Sequence, residues 1–227
     1  MNLQQAIISR HSVRKYLDRE IPAEVAASLQ EKIDECNRDG GLNIQLVQDE
    51  TRAFTGMLSY GRFSGVKNYL AMVGKKSDDL EQRIGYYGEK IVLHAQTLGL
   101  NTCWVGLSYR KVPKAYNVDK DEKLCCMIAI GYGENQGVSH KIKAIEQVSN
   151  ASGTTPIWFR KGVEAALFAP TAVNQQKFFF EYIGTEDERG IVKASKGKSM
   201  MGYTNFDLGI AKLHFEIGAG KEIVWKQ

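Results

Sequence analysis

The chain lacks the features that mark membrane, secreted and nucleic-acid-binding proteins. No apolar stretch in its 227 residues approaches the roughly 20 that a bilayer-spanning helix needs. The N-terminus has no signal-type apolar core followed by a small-residue cleavage site. A cytoplasmic protein without membrane contact is therefore expected. Cysteine is sparse, and Cys36, Cys103, Cys125 and Cys126 form no CxxC pair. Neither a zinc ribbon nor a dithiol redox centre is suggested, and the four read as reduced core thiols. No metal-ligand spacing appears around the histidines, so no metal site is expected. A net charge of +4 without an RNP motif or zinc finger argues against a nucleic-acid partner. Nucleotide-binding glycine loops are absent too. Gly131-Tyr-Gly133 is too short and Gly218-Ala-Gly220 lacks the third glycine of a dinucleotide fingerprint, while Lys196-Gly-Lys-Ser199 has Val192 where a P-loop needs glycine.

What is present is a soluble globular composition, 43% hydrophobic and 25% charged, long enough for one large or two small cores. Near the N-terminus, Arg10-His-Ser-Val-Arg14 follows an apolar run, Leu3 to Ile8, whose Leu3, Ala6 and Ile7 fall on one face if it is helical. Two permanent cations and a hydroxyl within five residues form either a compact anion site or a solvated basic surface. Guanidinium forks bind phosphate in bidentate fashion.

Hydrophobic periodicity organises the rest. A helix is expected over 22–37, opened by Pro22 and stopped by Gly40-Gly41, with strands at 43–48 and 69–73. A long helix follows over 79–98, ended by Gly99, then the segment Leu100 to Gly106 and a short polar helix near Val112. Cys125 to Ile130 reads as a strand buried on both faces, closed by Gly131. From Pro156 the plan recurs in shortened form, with a helix to about Phe168, a strand over 177–184, and a helix around Leu213-His214 that leads to Val224-Trp225. Asn43-x-Gln45 and Asn174-x-Gln176 precede matching strands, and each long helix leads through glycine to a tryptophan. This order suggests duplication of an α+β unit, with halves at 1–150 and 151–227.

These residues together resemble the FMN-dependent nitroreductase family. Arg10-His-Ser-Val-Arg14 is similar to its Arg-x-Ser-x-Arg, Leu98-Gly-Leu-Asn-Thr-Cys-Trp-Val-Gly106 to its Gly-Leu-Gly-x-x-Trp-x-Gly, and Ile128-Ala-Ile-Gly-Tyr132 to its late strand. Ala169-Pro-Thr-Ala-Val-Asn-Gln-Gln176 is similar to its Ala-Pro-Ser-x-x-Asn-x-Gln, which in the family follows the first long helix. Here that place holds Cys36 to Gln45, without the Pro and Ser. The displacement implies a single-chain, fused branch in which two degenerate halves form an intramolecular pseudo-dimer with a nitroreductase-like fold. One FMN site per chain, at the interface of the halves, is then expected in a monomer or weak homodimer.

The resemblance also implies roles. Arg10 and Arg14 hold the FMN phosphate, with Lys141 and Lys143 either adding to it or belonging to a basic loop. Ser12 meets a ribityl hydroxyl or the phosphate, and His11 lines the phosphate pocket or is structural. The Pro170-Thr171 loop presents Asn174 to the flavin pyrimidine edge, unless Asn174 is a turn residue at a strand entry. Backbone N–H groups of Val105 and Gly106 lie near flavin N5, Trp104 flanks the ring or is a buried aromatic, and Arg62 is a further contact from the Tyr60-Gly-Arg62 segment. No side chain is catalytic in its own right. NADH or NADPH donates hydride and a small-molecule acceptor, nitroaromatic or quinone, receives it. A flavin-binding or sensing protein without turnover and an apo structural relic are the rival expectations.

Overall fold

The computed structural model describes residues 1–55, 62–199 and 202–226. The chain divides into two compact units, residues 1, 9–80 and 90–139 in the first and 2–8, 81–89 and 140–227 in the second. The compact units therefore do not coincide with halves cut at residue 150. The later boundary falls at Ser139/His140, and two earlier helical stretches associate with the C-terminal unit.

The first unit is built on a four-stranded sheet. Its strands β1 (Gln45–Val47), β2 (Asn68–Lys75), β3 (Asn101–Val105) and β4 (Glu122–Gly131) are ordered β1-β2-β4-β3, every pairing antiparallel. The central strands β2 and β4 are apolar without alternation, as strands covered on both faces must be. Tyr69 to Val73 and Met127 to Ala129 are fully buried. Helix α2 (Ala23–Gly40) starts after Pro22 and ends at Gly41, whose φ of 58° supplies the left-handed cap that favours glycine. Near Val112 the expected short helix does not form. Pro113 disfavours helical geometry in the residue before it, and Lys114 has a φ of 74°. Turns occupy the segment instead, while Val112 itself is buried.

The second unit has a three-stranded sheet, β5 (Phe178–Glu186), β6 (Arg189–Lys196) and β7 (Ile223–Lys226), in that order. β5 pairs antiparallel with β6, and β6 pairs parallel with β7. Helices α4 (Ile157–Ala166) and α5 (Thr204–Ala219) cross at small residues. A Cβ on Gly162 would stand 2.8 Å from the Phe215 ring, and one on Gly218 2.4 Å from Ala165 Cβ. Helix α3 (Leu80–Thr97) contributes Glu81 to Glu89 to this unit. There the approach to α5 is closer still: a Cβ on Gly209 would sit 2.1 Å from the Gln82 carbonyl oxygen. Phe159, Phe180 and Phe215 are fully buried and stack with Tyr182 and Trp225 at centroid distances from 4.8 to 5.9 Å.

Helix α1 (Leu3–Ser9) forms as the apolar run suggests, but it buries Ala6 and Ile7 and leaves Leu3 exposed. Among the described residues no helix is long and apolar enough to cross a membrane.

Candidate functional site

The Arg10-to-Arg14 segment adds itself to the open edge of β3. Ser12 bridges in parallel to Thr102, and the Val13 N–H donates to the Thr102 carbonyl at 3.0 Å. Val13 and Tyr16, both buried, anchor the segment in the apolar cluster that includes Tyr69, Val105 and Met127. The Tyr16 hydroxyl donates to the Val13 carbonyl at 2.8 Å, and burial holds its pKa well above the ordinary phenol value. On its other side the segment is covered by the turn that follows β4. Tyr16 bridges to Gly133, the Leu17 N–H donates to the Tyr132 carbonyl at 2.8 Å, and the Gly133 N–H donates to Asn101 Oδ1 at 2.9 Å. Gly137, with a φ of 74°, passes so near that a Cβ there would lie 2.7 Å from His11 Cβ.

This pairing sets the segment beside Cys103 of β3, whose thiol feels Arg14, Ser12 and Arg10. Burial pushes the Cys103 pKa up, and Arg14, a hydrogen bond with Ser12, and Arg10 pull it back down. Arg10 is buried, Ser12 and His11 are half-buried, and Arg14 is exposed with no ion-pair partner among the described residues. Thr102 Oγ1 is buried and has no hydrogen-bond partner among the described residues, an uncommon condition for an interior hydroxyl. Neither Thr102 nor Cys103 stood out in the sequence, because an apolar strand hides which neighbours its polar members face. Further along β3, Trp104 is half-buried and Val105 buried, and Gly106 follows the strand half-buried. Arg62 is exposed and donates from Nη1 to Ser108 Oγ at 3.1 Å, while Tyr60 and Gly61 of that expected contact segment lie outside the described residues.

In the second unit the loop 169–176 is held from within and from both neighbouring segments. Val173, Asn174 and Gln176 all have positive φ, at 48°, 55° and 43°. Side chains outside the glycine and asparagine types rarely adopt this conformation, and it persists only where the surroundings enforce it. Thr171 Oγ1 accepts from the Gln176 N–H at 3.1 Å. The Lys143 ammonium donates to the carbonyls of Gln175 at 3.0 Å and Gln176 at 2.8 Å, so this lysine secures the loop. Asn174 Nδ2 donates to the Lys141 carbonyl at 2.9 Å, and its Oδ1 accepts from Gln176 Nε2 at 2.7 Å. The turn role of Asn174 is thus real, with part of its amide committed locally. The Lys141 side chain is exposed, and Pro170 and Thr171 are half-buried. Asp207 on α5, absent from the residues singled out by pattern, accepts from the Ala172 N–H at 3.0 Å and from Gln175 Nε2 at 2.6 Å.

The histidines show no carboxylate at a suggestive spacing, yet His214 Nε2 lies 2.9 Å from Glu89 Oε1 with both side chains fully buried. The partners are on different helices, far apart in sequence. Among the described residues no cluster of three or more metal-ligating side chains occurs.

The family model described as "Putative TM nitroreductase" matches residues 2–219. The chain belongs to this nitroreductase family. A "putative nitroreductase" of Thermotoga maritima superposes with a TM-score of 0.67 at 24% identity, covering 100% of this chain and 90% of its own. Another from Desulfovibrio desulfuricans, described as a complex with FMN, gives 0.54 at 17% identity over 69% of this chain and 99% of its own. A nitroreductase family protein of Streptococcus pneumoniae gives 0.52 at 9% identity over 65% of this chain and 98% of its own. No curated protein matches. The α+β nitroreductase-like fold is that of these structures. The Thermotoga protein spans the whole chain, whereas the other two nitroreductases, nearly complete themselves, account for about two thirds of it.

Proposed function

We propose that this nitroreductase-family chain is an FMN-dependent NAD(P)H oxidoreductase reducing nitroaromatics, quinones or similar small acceptors by a ping-pong mechanism. The observation that carries the reading is the pairing of the Arg10-to-Arg14 segment with the β3 edge through Ser12 and Val13. On this segment an exposed cation without an acidic partner among the described residues, a buried second cation and a half-buried hydroxyl are donors of the kind a phosphate monoester needs. Thr102 Oγ1, buried beside Ser12 with no partner among the described residues, leaves one more polar atom at this edge for a ligand oxygen or an ordered water. The donor set fits the phosphate end of FMN, and the neighbour described as an FMN complex supports the choice of ligand.

Bound FMN supplies the hydride-accepting and hydride-donating chemistry. The chain's own residues bind and orient. Arg14 and Arg10 neutralise the phosphate, and Ser12 fixes it or the first ribityl hydroxyl. Lys141 adds exposed positive charge, while Lys143 acts by holding the carbonyls of the 169–176 loop. That loop offers Pro170, Thr171 and the uncommitted part of the Asn174 amide to the pyrimidine edge. The N–H groups after Trp104, at Val105 and Gly106, serve the ring edge, where the small residue leaves room for a nicotinamide or acceptor. His11, packed under Gly137, has a structural role. Arg62 remains a secondary contact. We further infer a cytoplasmic monomer, internally a pseudo-dimer, whose partners are small molecules.

The test is anaerobic. FMN-loaded protein mixed with NADH or NADPH is expected to lose its visible flavin absorbance and to regain it on adding a nitroaromatic or quinone. Flavin retained but never bleached by either donor would replace this reading with a binding or sensing module.

A further inference from the structure

The loop 169–176 is held in a backbone form that its own residues disfavour, and the group holding it from α5 is a carboxylate buried to 3% exposure. Asp207 Oδ1 accepts the Ala172 N–H at 3.0 Å and Oδ2 accepts Gln175 Nε2 at 2.6 Å. The Gln175 amide is locked in that orientation by its other contacts. Its Oε1 accepts from the Ser199 hydroxyl, and its Nε2 also reaches the Gly202 carbonyl at 3.2 Å. Both Asp207 oxygens are therefore required as acceptors. An amide at this position replaces one acceptor with a donor, which faces either the Ala172 N–H or the Gln175 NH2, and protonation weakens one oxygen as an acceptor and adds an O–H that must find room there. Relief at Gln175 requires that side chain to flip, which sets its Oε1 against the Gly202 carbonyl.

From this geometry we propose that Asp207 is a positioning residue whose ionised carboxylate locks the 169–176 loop in the conformation that receives the flavin. The assignment rests on the FMN reading above for the ligand, but the lock itself is a property of the loop.

The charge is kept at a cost. Burial raises the Asp207 pKa from 3.8 to about 6, and the two hydrogen bonds from Ala172 and Gln175 oppose that rise without cancelling it. No charged side chain figures among the influences on it, neither from Glu81, Arg83 and Glu89 on α3 nor from Lys212 and Glu216 on α5. Because the folded pKa lies above the unfolded one, this group favours the fold most below pH 3.8, and its contribution is lost as pH rises through about 6. Stability and loop order thus respond to protonation in opposite directions. A purely structural carboxylate would move them together.

Two readouts on the full chain separate the lock from its ligand. Amide hydrogen exchange over residues 169–176, corrected for intrinsic rate, is expected to quicken about ten-fold in Asp207→Asn at pH 7.5. The wild type should show the same gain only below about pH 6, and the variant no pH step, with its melting temperature equal to or above the wild type's. FMN affinity is expected to weaken about ten-fold in parallel, with Asp207→Glu recovering part of the pH step. Unchanged exchange in Asp207→Asn overturns the lock. Altered exchange with unaltered FMN affinity overturns the link to the flavin. Altered exchange in a wild-type protein that binds no FMN upholds the lock and removes the proposed function instead.

Discussion

The two sheets make the same strand directions with different numbers of strands. In the first unit β2 and β3 run parallel to one another, but β4 lies between them and pairs antiparallel with both. In the second, β6 and β7 run parallel and pair directly. Removing the middle strand from β1-β2-β4-β3 yields the order β5-β6-β7. A three-stranded sheet with no counterpart of β4 draws its core from elsewhere. The first unit fills its interior mainly with the aliphatic side chains of β2 and β4, whereas the second stacks Phe159, Phe180, Phe215 and Trp225 under a helix pair brought close by glycines. The groups of the proposed site divide in the same way. Cations and a hydroxyl lie on the edge of β3, and an amide-rich loop lies ahead of β5.

If the aromatic cluster does in the second unit what β4 does in the first, truncating it is the largest single blow. Phe215→Ala is expected to cost about 4 kcal/mol in urea unfolding, against roughly 3 kcal/mol for Met127→Ala on β4. Equal costs would erase the contrast between the cores. Next comes the helix contact. Gly209→Ala drives a methyl into the Gln82 carbonyl and should lower stability by about 3 kcal/mol, whereas Gly220→Ala, with no atom near its Cβ, is expected to feel only the strain of its φ of 62°, about 1 kcal/mol. The division of ligand groups is sharpened by Arg10→Ala combined with Arg14→Ala, for which FMN titration should show about a 100-fold loss, ~2.8 kcal/mol, growing smaller at high salt. A loss independent of salt would mean that these arginines act through packing rather than charge. The smallest effect is a gain. Asp187 and Glu188 form the two-residue turn between β5 and β6 with φ of 46° and 64°, so Glu188→Gly should raise stability by about 1 kcal/mol in thermal melts.

That turn also shows why part of the fold escaped pattern reasoning. A hairpin is normally announced by Asn-Gly or Asp-Gly, and here two acidic residues take the left-handed conformation. The strand they open, Arg-Gly-Ile-Val-Lys-Ala-Ser-Lys, is too polar to declare itself, so the pattern predicts no strand at β6. By contrast β2, β4 and the helices α2, α3 and α5 were legible because their apolar periodicity or continuity is strong and glycine or proline punctuates their ends. The cationic motif was legible as a cluster, but not its extended course beside Thr102 and Cys103, which depends on a β-bridge across most of the first unit. Asp207 was invisible for a plainer reason. A single acid in an apolar helix carries no signal until the loop it faces, more than thirty residues away in sequence, is folded against it.

The most direct test of the account is the visible spectrum of purified protein saturated with FMN and freed of excess ligand. The cationic motif occurs once in the chain, so about one equivalent of bound flavin is expected. A colourless protein, or a content near two equivalents, would contradict the assignment.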